Sequence, residues 1–452
     1  MKKVALTQVT SVCAVLVAVV LCLLPFHALL TVWAGSSLGH YSAFRLWIEF
    51  ALVPLAVWAA VAIGRDAGRR RPWLRDPLVL LGAAYIVWQL VMGVFARLAG
   101  WVNTSALLTG WAADLRFPAF LLVCWVAAMQ RPWLARCWRQ LLLVPAAIAT
   151  GFGVLQAWVL PVDFLRHFGY GPQTIAPFST VDQKTAYIRV QSTLRGPNPF
   201  GAYLVLPISA LASTLVRGVK QRRAGALVFL ALACAALGTT YSRSAYIGAV
   251  LSVAYLCWLA VPKGRARSWL LAGMAAAVLV FGAAFLAFRH NSQFQNTFFH
   301  TDSHSGSRTS SNAARSSALE QGVKDVLTQP LGHGPGSAGP ASAHNNRPAR
   351  IAENYYLQVG QEAGWIGLGL FLAINVLVAI KLWQRRGHQL AVVLLASFVG
   401  ISFINMLSHA WADDTLGMLW WGFAGIACSL SAAQGDGAKN ARIETPKKKA
   451  ST

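Results

Sequence analysis

Between Val9 and Trp33 the chain reads VTSVCAVLVAVVLCLLPFHALLTVW, a run without Lys, Arg, Asp or Glu. A bilayer's hydrocarbon core is about 30 Å thick, and about 20 apolar residues in a helix cross it. Inside lipid only helices and closed barrels satisfy their own backbone. The run therefore predicts a transmembrane helix. Lys2 and Lys3 ahead of it resemble the start of a signal peptide, but the length of the run and the spans that follow predict an uncleaved first helix.

The same pattern recurs downstream. Apolar runs predict helices near 9–34, 43–64, 77–100, 105–130, 141–161, 200–216, 224–240, 245–262, 269–288, 364–383, 389–408 and 415–433. Together they predict an all-α polytopic membrane protein of about twelve transmembrane helices. Composition agrees, because 56% of the 452 residues are hydrophobic and 12% are charged, too few to cover a water-facing surface. The formal charge of +24 invites a nucleic-acid reading. Position argues against it: most Lys and Arg fall in short clusters between apolar runs, where cytoplasmic loops hold a membrane protein's orientation. The seven cysteines lie in apolar runs or beside a basic loop, which gives no disulfide framework and no metal-ligand spacing.

With the N-terminus cytoplasmic, every second loop is basic: Arg65–Arg75, Arg131–Arg139, Arg217–Arg223, Lys263–Arg267 and Lys381–Arg386. The loop at 263–267 is expected to fit only if one of the short spans between 200 and 262 is misdrawn. Both termini are then inside, and two long segments, 162–199 and 289–363, are periplasmic. The chain divides into 1–288 with nine helices, a large partly helical periplasmic loop at 289–363 carrying the catalytic segment, helices ten to twelve over 364–433, and a basic, disordered tail over 434–452. The large loop opens with a serine-rich stretch, His300 to Ser317, that reads as flexible. A short helix follows, with Leu319, Val323, Val326 and Leu327 on one face and Pro330 as its stop, and then a Gly-rich turn from Leu331 to Ser337 that includes His333.

The outward side collects arginines that the positive-inside bias disfavours: Arg189, Arg195 and Arg243. A guanidinium fork matches phosphate oxygens in a bidentate way, so converging arginines there point to a diphosphate; lipid anchoring is the plainer alternative. Glu353 stands on the same side, where a carboxylate can act as a general base. Asn354 next to it can bond sugar hydroxyls or turn the chain. Arg97, Asp114 and Arg116 lie within or near spans three and four. Asp114 and Arg116, two residues apart on a helix, do not face each other, and each needs a partner elsewhere. His300 and His304 lack a third ligand for zinc, and Asp413-Asp414 is a weak cation site. No metal and no cofactor is expected.

Four stretches together resemble the O-antigen ligase and polymerase superfamily: Arg189 to Phe200, Tyr241-Ser-Arg-Ser244, Pro330 to Ser337, and Glu353 to Gly367. Ligases of that family end the large periplasmic loop with a His-Asn pair, nine residues and Gly-x-x-Gly. Asn354, the residues Tyr355 to Ala363, and Gly364-Trp-Ile-Gly367 match this spacing, with Glu353 in place of His. His344-Asn345 offers the pair without the glycine spacing. The resemblance implies a GT-C-like inner-membrane glycosyltransferase. It implies a glycan on undecaprenyl diphosphate as donor and, for a ligase, lipid A-core as acceptor; the reaction is expected to be metal-independent, and direct displacement at the anomeric carbon would make it inverting. It implies diphosphate binding by Arg189 and Arg243 and acceptor activation by Glu353. Arg195, Arg116, Asn354, Tyr355, His333 and His344 are expected along the substrate path. An O-antigen polymerase, a protein O-oligosaccharyltransferase and a lipid-linked sugar transporter are the alternatives, with membrane lipids as partners in every case.

Overall fold

The structure is a computed structural model describing residues 2–181, 184–217, 220–261 and 311–432, with a few isolated positions between 264 and 287. The span expected near 269–288, His300 and His304, and the basic tail lie outside the described residues.

The principal elements are α1 (Gln8–Leu38, broken by a 3-10 turn at Leu24–Phe26), α2 (Trp47–Arg65), α3 (Pro77–Leu98), α4 (Thr104–Gln130) and α5 (Trp138–Trp158). A two-stranded antiparallel hairpin follows, β1 (Ser179–Val181) and β2 (Lys184–Arg189). Next come α6 (Pro197–Arg217), α7 (Arg223–Thr239), α8 (Arg243–Ala260), α9 (Ser311–Thr328), α10 (Tyr355–Gln384), α11 (Gln389–Asn405) and α12 (Leu416–Cys428). Eight helices among the described residues are long and apolar enough to cross a membrane, and α7, α11 and α12 are shorter apolar helices. Every expected apolar run within the described residues is thus a helix, and the protein is an all-α polytopic membrane protein, with one small hairpin among the described residues.

The ends of the bundle differ in charge. Arg217 donates to the carbonyls of Leu259 (3.1 Å) and Arg386 (3.4 Å), which gathers the ends of α6, α8 and α10 at one end. Lys381 reaches Asp76 at 2.6 Å, bringing the start of α3 there. Arg267 bonds the Trp258 carbonyl at 3.0 Å. Because α6, α7 and α8 cross in turn, the loop after α8 falls at this basic end with all three spans as drawn, so none needed to be misdrawn.

Two helices form the centre. α6 is buried on nearly every face, and α12 is buried along its whole length around Trp420 and Trp421. At 1.5 Å per residue the 13 residues of α12 reach only about 20 Å, short of a hydrocarbon core. The polar turn ahead of it, His409 to Thr415, consequently sits within the bundle, with Asp413 and Thr415 buried.

α10 begins at Tyr355, earlier than the apolar run at 364 suggests, and is interrupted at Gly364, whose φ of 64° is left-handed. A β-carbon there would stand 2.2 Å from the Pro330 carbonyl oxygen, so glycine is required by backbone and space alike. The Gly-rich loop crosses over this interruption: His333 N–H donates to the Gln361 carbonyl (2.9 Å), Gly334 N–H to that of Glu362 (2.7 Å), and Trp365 N–H to that of Pro330 (2.8 Å). The buried Glu362 carboxylate accepts from the backbone of Gly336 (2.8 Å) and Ala338 (3.4 Å), and from Gln358 (3.2 Å).

Helix α9 corrects the expected flexible stretch, since it starts at Ser311 and includes Arg315. It also docks by a different face from the one its leucines suggest. Gly322 lies against Ala352 and Leu357, Val326 lies against Gly360, and the buried Asp325 takes Arg350 (2.5 Å) and Gln361 (2.8 Å). Leu319, Val323 and Leu327 remain exposed. Close approach at two glycines and a buried ion pair, rather than the apolar stripe, decide the orientation of α9.

Candidate functional site

At the end opposite the basic one, five segments converge. β2 carries Arg189. Its Nε donates to the Thr240 carbonyl (2.9 Å) and a terminal nitrogen to Asn198 Oδ1 (2.5 Å), tying the strand to the α7–α8 turn and to the first turn of α6. That α7–α8 turn holds Tyr241 at φ 49°, and Arg243 opens α8. From the other side come Arg315 on α9 and Glu353 just before α10; Glu353 has a φ of 48° and pairs with Arg315 at 2.8 Å. Left-handed backbone at a residue with a side chain costs about 1–3 kcal/mol and collects at functional sites. Of the three such residues among those described, Tyr241 and Glu353 line this cleft.

The cleft consists of two adjoining cavities. The outer one, of 520 Å³, is lined by Arg189, Arg243 and Arg315 together with Asn198, Tyr241 and Glu353. The inner one, of 210 Å³, is lined by Arg195, His409 and Asp413 among others. Asn198, Glu353 and Ser408 belong to both, so Glu353 stands at the junction. Three guanidiniums around one cavity make a site for a multiply charged anion, and the N-terminus of α8 adds its positive end. The inner cavity has mixed polarity: Arg195 pairs with Asp413 (3.3 Å), and His409 is half-buried with its Nε2 closed off and unpartnered. Burial, and then the charge of Arg195, lower the His409 pKa to about 4, so this imidazole is neutral near pH 7.

The sequence-selected residues fall into two groups. Arg189, Arg243, Arg195 and Glu353 are brought together in the cleft. Asn354 caps α10, accepting from Leu357 N–H (3.1 Å) and donating to the Met406 carbonyl (3.1 Å). Tyr355 is fully buried against Phe371, with Asp114 and Glu362 beside it. His333 packs on Trp101 at 4.6 Å, and burial followed by Arg350 and Arg347 lowers its pKa. His344 ends a 3-10 turn and offers its carbonyl to Asn103 (2.8 Å). None of these four lines either cavity. Arg116 is placed elsewhere: its guanidinium is taken up by Glu49 and Asp414 beside a separate small void of about 10 Å³. Asp414 also faces His27 (3.5 Å), while Asp413 receives Thr415 and Leu416 N–H, so both acids of the pair are engaged by groups of the chain itself.

Sequence reasoning missed Arg315, Asn198, Ser408 and His409. Arg315 carried the same signal as the other outward arginines, but it lay in a stretch read as flexible. Nothing local distinguishes His409.

Fold and cleft define a multi-pass membrane protein with an arginine-lined cleft at one end of its bundle. Residues 226–372 match the family model Wzy_C, described as O-antigen ligase, a segment running from α7 through Arg243, Arg315 and Glu353 into α10. The match covers about a third of the chain and supports assigning it to the O-antigen ligase and polymerase family. No curated protein matches the chain in a sequence search.

Proposed function

We propose that the chain is an O-antigen ligase, which moves polysaccharide from undecaprenyl diphosphate to lipid A-core at the periplasmic face of the inner membrane. The observation that carries this reading is the position of Glu353 where the arginine-lined cavity meets the inner one. In this mechanism Arg189, Arg243 and Arg315 hold the donor diphosphate. Arg315 turns from Glu353 to the phosphate as the donor enters, leaving the carboxylate free to accept a proton. An acceptor hydroxyl gives that proton to Glu353 while its oxygen attacks the anomeric carbon. The bond from that carbon to the phosphate oxygen breaks, and the diphosphate departs with the electron pair.

Attack opposite the leaving group inverts the anomeric centre. The charge that develops on the departing oxygen is met by guanidiniums already in place, the arrangement that contributes most in such sites. Three arginines there supply the positive charge for a metal-independent reaction.

Deleting the gene and analysing the lipopolysaccharide tests the assignment. Loss of all capped core with accumulation of lipid-linked polysaccharide is expected. Capping by single repeats would instead identify a polymerase, and unchanged lipopolysaccharide would exclude both.

A further inference from the structure

The inner cavity has no role in holding the diphosphate, yet it is built from side chains held in fixed places. Arg195 is fastened to Asp413, and Asp413 is itself fixed by the backbone of Thr415 and Leu416 at the start of the central helix α12. His409 is carried on the same turn, because Asn405 at the end of α11 accepts from Trp411 N–H (2.9 Å) and Ala412 N–H bonds back to the His409 carbonyl (3.1 Å). Its buried Nε2 has no partner within the protein. An unmade hydrogen bond at a buried polar atom costs about 1–3 kcal/mol, and such an atom commonly marks a missing partner.

The partner's chemistry can be read from the lining. A neutral imidazole either donates or accepts, Asp413 only accepts, Arg195 only donates, and Asn198 does both. That mixture suits neighbouring hydroxyls, each of which is donor and acceptor at once, better than it suits an anion or an apolar group. The cavity's 210 Å³ exceeds the roughly 150 Å³ of an engineered protein cavity that takes up the six-membered ring of benzene. That is room for one sugar ring rather than a chain. Building on the transfer reaction proposed above, we infer that the inner cavity is the acceptor-sugar subsite and that His409, on its wall, selects among acceptors. Glu353, shared by both cavities, then borders the bound ring on one side and the diphosphate on the other.

The test uses the full chain in detergent and two probes. The first is a panel of methyl hexosides differing at single hydroxyl positions, followed by saturation-transfer NMR; the second is inorganic pyrophosphate, followed by ³¹P NMR. The wild type is expected to saturate one hexoside well above its epimers. His409→Leu should lose that preference by tenfold or more while binding pyrophosphate as before, which also reports an intact fold, and His409→Gln should keep part of it. Equal hexoside binding by the wild type and His409→Leu overturns the inference, as does a wild type that binds pyrophosphate but discriminates no hexoside. Hexoside selection that depends on His409 in a chain that fails to bind pyrophosphate upholds the subsite and overturns the donor reading instead.

Discussion

Glu353 and Arg315 meet at 2.8 Å across the cleft, although one precedes a membrane-crossing helix and the other lies on a helix that crosses nothing. The pair gives the two residues opposite kinetic signatures. In the proposed mechanism Arg315 serves donor binding, so Arg315→Gln should raise the donor KM about tenfold or more, in keeping with about 1.5–3 kcal/mol for a hydrogen bond to a charged group. In the same mechanism Glu353 takes the proton, so Glu353→Gln should lower kcat by roughly 10²–10⁴-fold with little change in donor KM. Glu353→His should recover part of the rate. Near-normal kcat in Glu353→Gln would leave the residue a structural partner of Arg315, and abolition of transfer by His344→Ala would move the base upstream.

Arg189 is gripped by Thr240 and Asn198, which aims one edge of its fork. Lysine preserves the charge but cannot make both bonds and still face a phosphate. Arg189→Lys and Arg243→Lys should each lose most transfer activity in membranes while the protein accumulates normally. Full activity in both lysine variants would reduce these residues to anchors.

Asp414 links pH to stability. Burial alone would raise its pKa, but the Arg116 guanidinium, with His27 and Arg195 behind it, more than offsets this and holds the carboxyl well below its ordinary range. A depressed folded pKa adds stability that is complete above the unfolded value, about 3.9, and is lost as pH falls toward the folded one. Asp414→Asn removes one of two partners of a buried arginine. Breaking such a pair costs up to about 3–5 kcal/mol, less where Glu49 remains. The apparent unfolding temperature of the variant in detergent should therefore lie below the wild type at pH 7. That gap should narrow as the pH falls below about 4; a gap of constant size down to pH 3 would contradict the linkage.

At Gly364 a methyl group would meet the Pro330 carbonyl oxygen, whereas Gly369, five residues along the same helix, has open space around it. Gly364→Ala should lower the apparent unfolding temperature and reduce transfer together, since the backbone strain alone is about 1–3 kcal/mol and the Gly-rich loop must shift. Gly369→Ala should match or slightly exceed the wild type, because alanine favours a helix. Equal stability of the two variants would show that the crossing is not fixed at Gly364.

Lipid makes part of this protein legible in its sequence. A helix in a bilayer must be long and apolar, and within the described residues every such run is a helix. Arginine is disfavoured on the outward side, so Arg189, Arg195 and Arg243 stood out, and with Glu353 they do share a cleft. Buried polarity was not legible. Tyr355 to Ala363 looks like loop because it holds Gln358, Gln361 and Glu362, yet it is helical, since Asp325 and the Gly-rich loop satisfy those side chains. Arg116 had the same appearance as the cleft arginines, but its partners Glu49 and Asp414 are 67 and 298 residues away. His409 sits in a turn without Lys or Arg that reads as a mere connection. Only the shortness of α12 puts that turn inside the bundle.

The orientation remains as the last prediction, and it follows from charge. Arg217, Lys381 and Arg386 mark one end of the bundle, while the cleft and the hairpin lie at the other. Cytoplasmic loops collect Lys and Arg because positive segments resist translocation, so the cleft should face the periplasm. Two exposed positions test this: Gln173, in the segment between α5 and the hairpin, and Gly387, between α10 and α11. In intact cells an impermeant maleimide should label Gln173→Cys and leave Gly387→Cys untouched, with both labelled after the membrane is opened. The native cysteines provide the background, since none lies in either loop. Labelling of Gly387→Cys but not Gln173→Cys in sealed cells would reverse the orientation, and it would leave the cleft on the side where a periplasmic acceptor is absent.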